Sequence, residues 1–420
     1  MTRQIQTSCC IAGGGPAGMM LGFLLARAGI DVVILEKHRD FLRDFRGDTV
    51  HPSTLELFSE LGLLDEFLKL PHATASSLSG QIGKELVHIA DFSHLPTRCK
   101  FIALVPQWDF LNFLKEHGSA YPGFHVEMRA EVVDLIEEGG RIVGVRAEAP
   151  EGTLEVRAPL TVGCDGRHST VRRRAALNVI DLGAPLDVLW FRLPSKPDDK
   201  AMVMGRFLPG SVLVQINRGD YWQCAFVIPK GDAGKVRQEG LELFRQKVAK
   251  AAPPLADRVG TLTDWDQIKL LTVAVDRLER WYRDGLLCIG DAAHAMSPVG
   301  GVGINLAVQD AVAAANILAE HLRRGDLTLD HLVEVQSRRE WPTKATQWLQ
   351  VQAQNRIIAP TLLRSGELKM PFALWLLNTI PVLQRIPARL IGVGVRPEHI
   401  HTPDVKADAR VADHHRVAAQ

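Results

Sequence analysis

The sequence predicts a mixed α/β fold in which a parallel βαβ unit opens the chain, an antiparallel sheet is inserted after it, and the C-terminal part is helical. Three observations carry this prediction. Apolar and helix-forming stretches alternate between residues 5 and 35, four apolar stretches separated by turn residues lie between residues 188 and 228, and a long helical pattern begins near Gly303.

The composition is that of an ordinary globular protein. Of the 420 residues, 46% are hydrophobic and 23% are charged, which is enough to bury a large core in two or three domains. The 49 basic and 48 acidic residues leave a formal net charge of +1, so a nucleic-acid partner is not expected. The six cysteines form no CxxC pair and no zinc-site spacing, so we expect neither metal nor disulfides, and we predict a cytoplasmic protein.

The βαβ opening is predicted from three consecutive segments. Residues 5–12 are typical of a short strand, residues 16–28 of a helix that ends at Gly29, and residues 31–35 of a second strand. Between the first strand and the helix lies GGGPAG, in which Gly13, Gly15 and Gly18 have the spacing GxGxxG.

This spacing is typical of a Rossmann-like dinucleotide-binding turn, and each glycine has its own task. Gly13 makes the tight turn, Gly15 lets the backbone approach a pyrophosphate, and Gly18 lets the helix pack closely on the strand. The helix N-terminus offers N–H groups and a partial positive charge to the phosphates. Glu36 ends the next strand, where a carboxylate can bind ribose hydroxyls. The motif alone leaves NAD and FAD open.

The later segments are predicted in chain order. Residues 52–68 form an amphipathic helix, residues 126–161 a β-meander, and residues 188–228 the antiparallel sheet. A strand over residues 286–290 leads into a helix over residues 303–323, after which the chain is mostly helical.

Two further motifs identify a family by resemblance. Residues 162–173 read VGCDGRHSTVRR, and residues 285–317 read GLLCIGDAAHAMSPVGGVGINLAVQDAVAAANI. Together with the glycine turn, they resemble the signatures of the FAD-dependent aromatic hydroxylases, the para-hydroxybenzoate hydroxylase-like group A flavoprotein monooxygenases. The resemblance covers roughly the first 350 residues in the correct order.

The resemblance implies a GR2-type Rossmann-like FAD-binding domain with an inserted β-sheet substrate domain. We expect the FAD-binding domain to comprise residues 1–72, 97–180 and 268–350. The substrate domain then comprises residues 73–96 and 181–267, and residues 351–420 form a C-terminal helical segment and tail.

The residues of the third motif suit a flavin. Asp291 follows an apolar strand, where its carboxylate can accept a hydrogen bond from a ribityl hydroxyl, and Gly300, Gly301 and Gly303 leave N–H groups bare at a helix start. The resemblance adds Arg46 and Gln107 near the ribityl and pyrophosphate groups, and Pro298 on the substrate side of the ring; Arg46 and Pro298 are assigned to catalysis. The full set of expected cofactor-binding residues is Gly13, Gly15, Pro16, Ala17, Gly18, Glu36, Lys37, Arg46, Gln107, Val132, Asp165, Asp291, Pro298, Gly301, Gly303, Ile304 and Asn305.

The activity that the resemblance implies is hydroxylation of an aromatic or quinone-like small molecule through a flavin C4a-hydroperoxide, with O2 and NAD(P)H as co-substrates. No second Rossmann fingerprint occurs in residues 73–420, so the nicotinamide nucleotide is expected to bind transiently. Halogenation is disfavoured because the nearest match to the halogenase WxWxIP segment, CAFVIP, lacks both tryptophans. A reductase of an isoprenoid double bond and a non-catalytic FAD sensor remain alternatives.

Two questions stay open. The candidate substrate face offers Arg192 and Arg206 as partners for a substrate anion, together with the apolar residues Trp190, Met202, Met204, Val212, Val214, Trp222 and Phe226. Residues 370–390 are so rich in apolar side chains that we expect them to be buried. Packing on the protein core is the favoured explanation, a homodimer interface comes second, and membrane contact last.

Overall fold

The computed structural model describes residues 2–42, 49–199, 203–368 and 370–406. Arg46, which we expect to bind the cofactor, and Met202 lie outside these residues. The strands are β1 Arg3–Gln6, β2 Cys9–Ala12, β3 Val32–Glu36, β4 Thr49–Val50, β5 Ala73–Ala75, β6 Ser77–Ile82, β7 Glu85–Asp91, β8 Ile102–Leu104, β9 Phe124–Met128, β10 Glu131–Glu138, β11 Arg141–Ala149, β12 Gly152–Arg157, β13 Leu160–Gly163, β14 Val179–Asp181, β15 Leu186–Pro194, β16 Val203–Leu208, β17 Ser211–Asn217, β18 Tyr221–Pro229, β19 Lys269–Leu271, β20 Asp276–Leu278, β21 Tyr282–Arg283 and β22 Leu286–Cys288.

The helices are α1 Pro16–Arg27, α2 Pro52–Glu60, α3 Leu64–Phe67, α4 Gln107–Gly118, α5 Thr170–Arg174, α6 Ala233–Gln238, α7 Leu241–Ala251, α8 Gly303–Arg324, α9 Leu329–Ala353, α10 Ala359–Leu363, α11 Phe372–Thr379 and α12 Arg385–Gly392. A π-helical turn, Gln354–Ile358, joins α9 to α10.

A six-stranded sheet with the order β21-β22-β13-β2-β3-β9 forms the centre of the first part of the fold. All of its pairs are parallel except β21 with β22. Helix α1 packs on this sheet together with α4 and α8, and they share one large apolar core. Because β2, β13 and β22 are parallel neighbours, the turns that follow them meet at one edge of the sheet.

A seven-stranded sheet with the order β19-β15-β18-β17-β16-β6-β7 forms the centre of the second part. Its pairs are antiparallel except β16 with β6. One face packs on α7, and the other packs on Val299 and the turns after α9. The predicted antiparallel strands of residues 188–228 are therefore confirmed.

Most predicted elements of the opening unit are also confirmed, with two corrections. Residues 5–12 do not form one strand, because β1 pairs with β12 in a separate four-stranded sheet while β2 enters the six-stranded one. The single helix expected over residues 52–68 is wrong as well. The chain breaks between α2 and α3 at Gly62, whose φ of 72° does not fit a right-handed helix.

The favoured explanation for residues 370–390, packing on the core of the same chain, is wrong for much of the segment. Phe372 is 74% exposed, Trp375 49%, Val382 54% and Ile386 58%. Helices α11 and α12 lie on β7, and α12 buries only small side chains such as Ala388 against it. Packing on the core of the same chain therefore does not account for the apolar character of this segment.

One stretch of the described residues, Val299–Arg324, is long and apolar enough to cross a membrane by length and composition. Its most apolar window is 67% buried inside the protein. This burial is what the core helix of a globular domain shows.

Candidate functional site

The glycine turn between β2 and α1 has the geometry that its spacing predicts. Gly13 has a φ of 107°, and a Cβ there would lie 2.4 Å from the Cys164 carbonyl oxygen. A Cβ on Gly18 would lie 2.0 Å from the Gly13 carbonyl oxygen. A Cβ on Gly15 would meet nothing within 4 Å, although Gly15 is the residue directly before α1. Gly13 and Gly18 are thus required by packing, whereas Gly15 borders open space at a helix N-terminus, where a pyrophosphate can bind.

Glu36 is held next to this turn. Its Oε2 accepts the Gly14 N–H at 3.0 Å and its Oε1 accepts the His38 N–H at 3.0 Å. The side chain is buried at the end of β3, while its neighbour Lys37 is exposed. The carboxylate is therefore oriented at the position that binds ribose hydroxyls in Rossmann-like folds.

The second motif lies beside the first. The Asp165 nitrogen would be 2.8 Å from a Cβ on Gly13, so the turn after β13 touches the glycine turn. Asp165 Oδ2 accepts the N–H groups of Thr170 and Val171 and so caps α5. Its Oδ1 is buried and has no hydrogen-bond partner among the described residues. This oxygen is a spare acceptor next to the phosphate side of the turn.

The third motif reaches the same place from β22. Gly290 has a φ of 60°, and a Cβ there would lie 3.2 Å from the Ala17 Cβ at the start of α1. Asp291 follows in a short 3-10 turn, and its Oδ2 lies 3.7 Å from Nη2 of Arg167, which belongs to the second motif. The fold therefore brings all three motifs together at one edge of the six-stranded sheet. Arg167 was not among the expected ligands, although it stands directly after the Asp-Gly pair.

The start of α8 forms the far end of the site. Gly300 and Gly301 have φ values of 79° and 63°, and the helix begins at Gly303. The Gly301 N–H donates to the Pro298 carbonyl at 3.0 Å, so the expectation that it is bare is wrong: the turn closes on itself there. The N–H groups of Gly303, Ile304 and Asn305 lie in the first turn of α8 and have no carbonyl partner within the helix. These three N–H groups can bind an anionic or carbonyl oxygen.

The side chain of Asn305 locks this helix start to β4 and α2. Its Nδ2 donates to the Thr49 carbonyl at 3.1 Å, and its Oδ1 accepts the His51 N–H and the Thr54 hydroxyl, both at 2.8 Å. Thr49 in turn donates its hydroxyl to the Gly301 carbonyl at 2.8 Å. No sequence motif indicated these partners, because they join segments about 250 residues apart.

The remaining expected ligands lie around this edge. Gln107 begins α4 directly after β8, whose Leu104 pairs with Thr49. Val132 is buried in β10, two residues after Ala130, whose N–H donates to the Glu36 carbonyl at 2.9 Å. Pro16 is the first residue of α1, and Pro298 is half-buried before the Gly300 turn.

The seven-stranded sheet turns only one of its faces to Pro298. Val212 and Val214 pair with Val227 and Ala225, and they belong to the apolar cluster that includes Val299. Met204, Trp222 and Phe226 lie on the opposite face, with Trp222 and Phe226 packed in the cluster around Phe244. The residues expected to form one substrate face therefore lie on both faces of the sheet, because successive side chains along a strand point to opposite sides.

The two arginines of the sheet are separated in the same way. Arg192 pairs with Gln223 on the face that carries Trp190, and it lies over the Tyr221 ring. Arg206 pairs with Leu213 on the other face and donates to Gln215 at 2.6 Å. They cannot bind one substrate anion together. Trp190 is half-buried against the apolar cluster that includes Val212 and Val299. Its Nε1–H is buried without a hydrogen-bond partner in the described part of the chain.

Thiol chemistry does not fit the site. All six cysteines are free and buried. Burial raises the pKa of Cys10 to about 12 and the pKa of Cys164, which touches Gly13, well above the usual thiol value. A thiolate nucleophile is therefore not available there at neutral pH.

Known proteins of similar sequence bind FAD or are monooxygenases. Residues 6–348 match the family described as FAD binding domain. The chain is 34% identical over 388 residues to 6-methylpretetramide 4-monooxygenase of Streptomyces rimosus, covering 91% of this chain and 92% of that protein. It is 30% identical over 325 residues to 12-dehydrotetracycline 5-monooxygenase/anhydrotetracycline 6-monooxygenase of Streptomyces rimosus subsp. rimosus, covering 72% of this chain and 60% of that protein.

Solved structures show the same fold. PqsL, a probable FAD-dependent monooxygenase from Pseudomonas aeruginosa, has a TM-score of 0.73 at 22% identity, covering 85% of this chain and 98% of its own. OxyS, an anhydrotetracycline hydroxylase from Streptomyces rimosus, has a TM-score of 0.74 at 23% identity, covering 94% of this chain and 77% of its own.

Proposed function

The chain belongs to the family of FAD-dependent aromatic hydroxylases, and from this premise we propose that it hydroxylates a polycyclic aromatic or quinone-like substrate with electrons from NAD(P)H. The enzyme class itself is an FAD-dependent monooxygenase acting on aromatic compounds. The observation that carries the proposal is the meeting of the three motifs at one sheet edge, next to a single apolar sheet face.

The residues present fit an FAD molecule. Open space beside Gly15 at the N-terminus of α1 suits a pyrophosphate, the spare acceptor oxygen of Asp165 suits a ligand hydroxyl, and Glu36 suits the adenosine ribose. Asp291 would accept from the ribityl chain, and the first-turn N–H groups of α8 would face the pyrimidine end of the ring. Lys37, Gln107 and Val132 are proposed as further contacts at this edge.

FAD, when bound, supplies the transfer of electrons from NAD(P)H to oxygen. The chain supplies orientation and electrostatics. The N-terminus of α8 favours negative charge at the pyrimidine end, because its N–H groups and helix dipole are fixed there before any charge develops. Pro298 and Val299 would hold the substrate between the ring and the sheet, where the valines of β17 and β18 exclude water.

The substrate class is inferred from this face. Val212, Val214 and Trp190 offer apolar area and one unpaired N–H donor, which suits a flat ring system bearing a carbonyl or phenolic oxygen. Among the relatives, those with tetracyclic substrates in their names point in the same direction.

NAD(P)H is proposed as a transient co-substrate. The exposed His168 and Arg173 lie on the turn and helix that follow Asp165, and both are available to a phosphate from solvent. Arg172 is not, because its guanidinium holds Asp276 at 3.0 and 3.2 Å.

The domain limits stated from the sequence remain part of the proposal. The FAD-binding domain would consist of residues 1–72, 97–180 and 268–350, and the substrate domain of residues 73–96 and 181–267. In support, the strands of the six-stranded sheet fall in the first set and those of the seven-stranded sheet, apart from β19, fall in the second. The cytoplasm is the proposed compartment, and a homodimer is the proposed assembly.

The experiment is a single-turnover and steady-state assay of the purified yellow protein with NADPH or NADH. Naphthols, anthraquinones, tetracyclic polyketides and simple phenols are tested as substrates under ¹⁸O2. We expect substrate-dependent O2 uptake and a product heavier by one labelled oxygen atom. A product that is reduced, isomerised or labelled from water would overturn the proposal, as would a released chromophore other than FAD.

A further inference from the structure

A buried charge network lies behind the Gly290–Asp291 turn. Asp310, on α8, is fully buried; its Oδ2 accepts the Gly290 N–H at 3.1 Å and lies 2.5 Å from Nε2 of His294. Its Oδ1 accepts from Nε of Arg339, on α9, at 2.9 Å. One carboxylate therefore positions the residue directly before Asp291.

The network continues to the C-terminal part of the chain. Arg339 is also fully buried, and its Nη1 donates to Glu398 Oε1 and to the Arg396 carbonyl, both at 3.0 Å. Glu398 in turn binds Arg338 through two hydrogen bonds of 2.8 and 2.9 Å. A segment about 100 residues beyond Asp291 in sequence is thus joined to the turn through charged groups that are screened little by solvent.

The carboxylates and guanidinium groups of this network are equal in number, because Asp310 and Glu398 face Arg338 and Arg339. Nε2 of His294 also lies against Asp310 Oδ2, and its Nδ1 is buried with no partner among the described residues. His294 and Arg339 hold the pKa of Asp310 below its usual value although burial alone would raise it. Removing one charge leaves its partner uncompensated in a medium of low polarity.

We propose that Glu398, Arg339 and Asp310 are positioning residues that make FAD affinity and the flavin midpoint potential depend on a C-terminal carboxylate that does not touch the cofactor. The proposal rests on the placement of FAD at Asp291 given above. The chain of contacts supplies the path: Glu398 orients and neutralises Arg339, Arg339 orients Asp310, and Asp310 holds the Gly290 N–H.

Glu60 offers a matched control. It docks the same C-terminal segment by accepting the Ile400 N–H at 2.8 Å and binding His399 Nδ1 at 2.5 Å, but these contacts lead to α2 rather than to Arg339. Glu398→Gln and Glu60→Gln therefore both remove one carboxylate charge that holds this segment. Only the former disturbs the balance around Asp310.

The experiment measures the dissociation constant of FAD for the apoprotein and the two-electron midpoint potential of the full-length holoenzyme. We expect Glu398→Gln to weaken FAD binding by about tenfold, within the usual range for coupled sites, and to shift the potential to a more positive value. Glu398→Asp, which keeps the charge, should restore the potential. Glu60→Gln should leave the dissociation constant of FAD within about twofold of the wild-type value, below the usual coupling range, and should leave the potential unchanged. Equal effects of the two glutamine variants, or none from Glu398→Gln, would overturn the proposal.

A second variant covers the case in which Glu398→Gln does not fold. Arg338 is partly exposed and pairs with Glu398, so Arg338→Gln leaves the Glu398–Arg339 contact in place. It should shift the potential in the opposite direction, to a more negative value, because a positive charge is removed. A loss of packing alone would not produce opposite signs, and a zero or positive shift contradicts the proposal. If the wild type binds no FAD at all, the proposed function fails rather than this inference.

Discussion

Asp291 is the single side chain on which the flavin assignment depends most. Its carboxylate is partly exposed, and Arg167 is the one cation with which it forms an ion pair among the described residues. That pair is long, at 3.7 Å, so the carboxylate keeps the capacity to accept a short hydrogen bond from a ligand hydroxyl.

We therefore expect Asp291→Ala to weaken FAD binding by roughly 1.5 to 3 kcal/mol, the size of a charge-assisted hydrogen bond. Asp276 is a poor control, because its carboxylate is part-buried against Arg172. Asp284 is better, since its exposed side chain pairs with Arg141 on the surface. Fluorescence titration of the apoproteins gives the dissociation constants, and similar values for Asp291→Ala and Asp284→Ala would contradict the role of Asp291.

Trp190 is the residue for which a substrate role can be tested separately from the flavin. Because its Nε1–H is unpaired on the face near Val299, Trp190→Phe should raise KM by roughly 2- to 10-fold, the equivalent of one neutral hydrogen bond, with FAD affinity unchanged. Trp222→Phe is the control on the opposite face, where the indole donates to Asp199 at 2.7 Å. A larger change in KM for Trp222→Phe than for Trp190→Phe would show that the substrate binds on the face that carries Trp222, which contradicts the proposed substrate site.

Among the elements, the glycine turn allows stability to be separated from ligand binding. Gly15 has an ordinary φ of −76° and open space around it, so Gly15→Ala should leave the stability of the apoprotein unchanged while FAD binding is lost. Gly18→Ala places a Cβ against the Gly13 carbonyl and should destabilise the apoprotein by about 1 to 3 kcal/mol or more. Urea unfolding of both apoproteins and FAD titration provide the measurement. If Gly15→Ala binds FAD as the wild type does, the pyrophosphate lies elsewhere.

Local signals explain which elements could be predicted. Helix α1, strand β3 and helix α8 follow from glycine spacing and periodicity within about 20 residues, and the structure confirms them. The face of each strand in the seven-stranded sheet could not be assigned, because register depends on pairing with distant partners such as Val214 with Ala225. The contacts of Asn305 with His51 and of Asp310 with Arg339 were unpredictable for the same reason.

The helices of residues 370–390 present an exposed apolar surface, although packing on the core was the favoured explanation for their composition. If this surface is free in solution, Ile386→Ala should change the free energy of unfolding by less than about 0.5 kcal/mol, because Ile386 is 58% exposed. Ile358→Ala is the matched control in the preceding helical part; it is 8% exposed and should cost about 2 to 5 kcal/mol. A large loss for Ile386→Ala in the purified protein would show that a second copy covers the segment, which light scattering would then detect. Liposome flotation tests separately whether a lipid surface binds it.

At the scale of the whole molecule, His51 joins the start of α8, at the proposed FAD site, to the C-terminal helices. Its backbone N–H donates to Asn305, and its Nδ1 lies 2.7 Å from the Ile391 carbonyl, next to the C-terminal end of α12. The side chain is fully buried, and Nε2 has no partner among the described residues. Nδ1–H therefore donates to Ile391, and the imidazole is neutral.

This arrangement makes global stability depend on pH in a defined direction. Burial lowers the pKa of His51 to about 4, whereas an unfolded histidine has a pKa of about 6.5. Between these two values the unfolded chain binds a proton that the folded protein does not. Stability must consequently fall as the pH is lowered through this window, and by pH 5 the loss from this one group is about 2 kcal/mol.

We expect the free energy of unfolding of the wild type, measured in urea at pH 7 and pH 5, to contain this loss, and His51→Asn to remove it. Asparagine can still donate to the Ile391 carbonyl but does not titrate. The variant should therefore lose little stability at pH 7, whereas the difference in stability between pH 7 and pH 5 should shrink by the contribution of His51. His72 makes the same kind of bond, from Nδ1 to the Leu70 carbonyl at 2.8 Å, but is half-buried, so His72→Asn should keep the wild-type pH dependence. If His51→Asn and the wild type lose equal stability between pH 7 and pH 5, protonation of His51 does not cause the loss. The loss must then arise from other titrating residues.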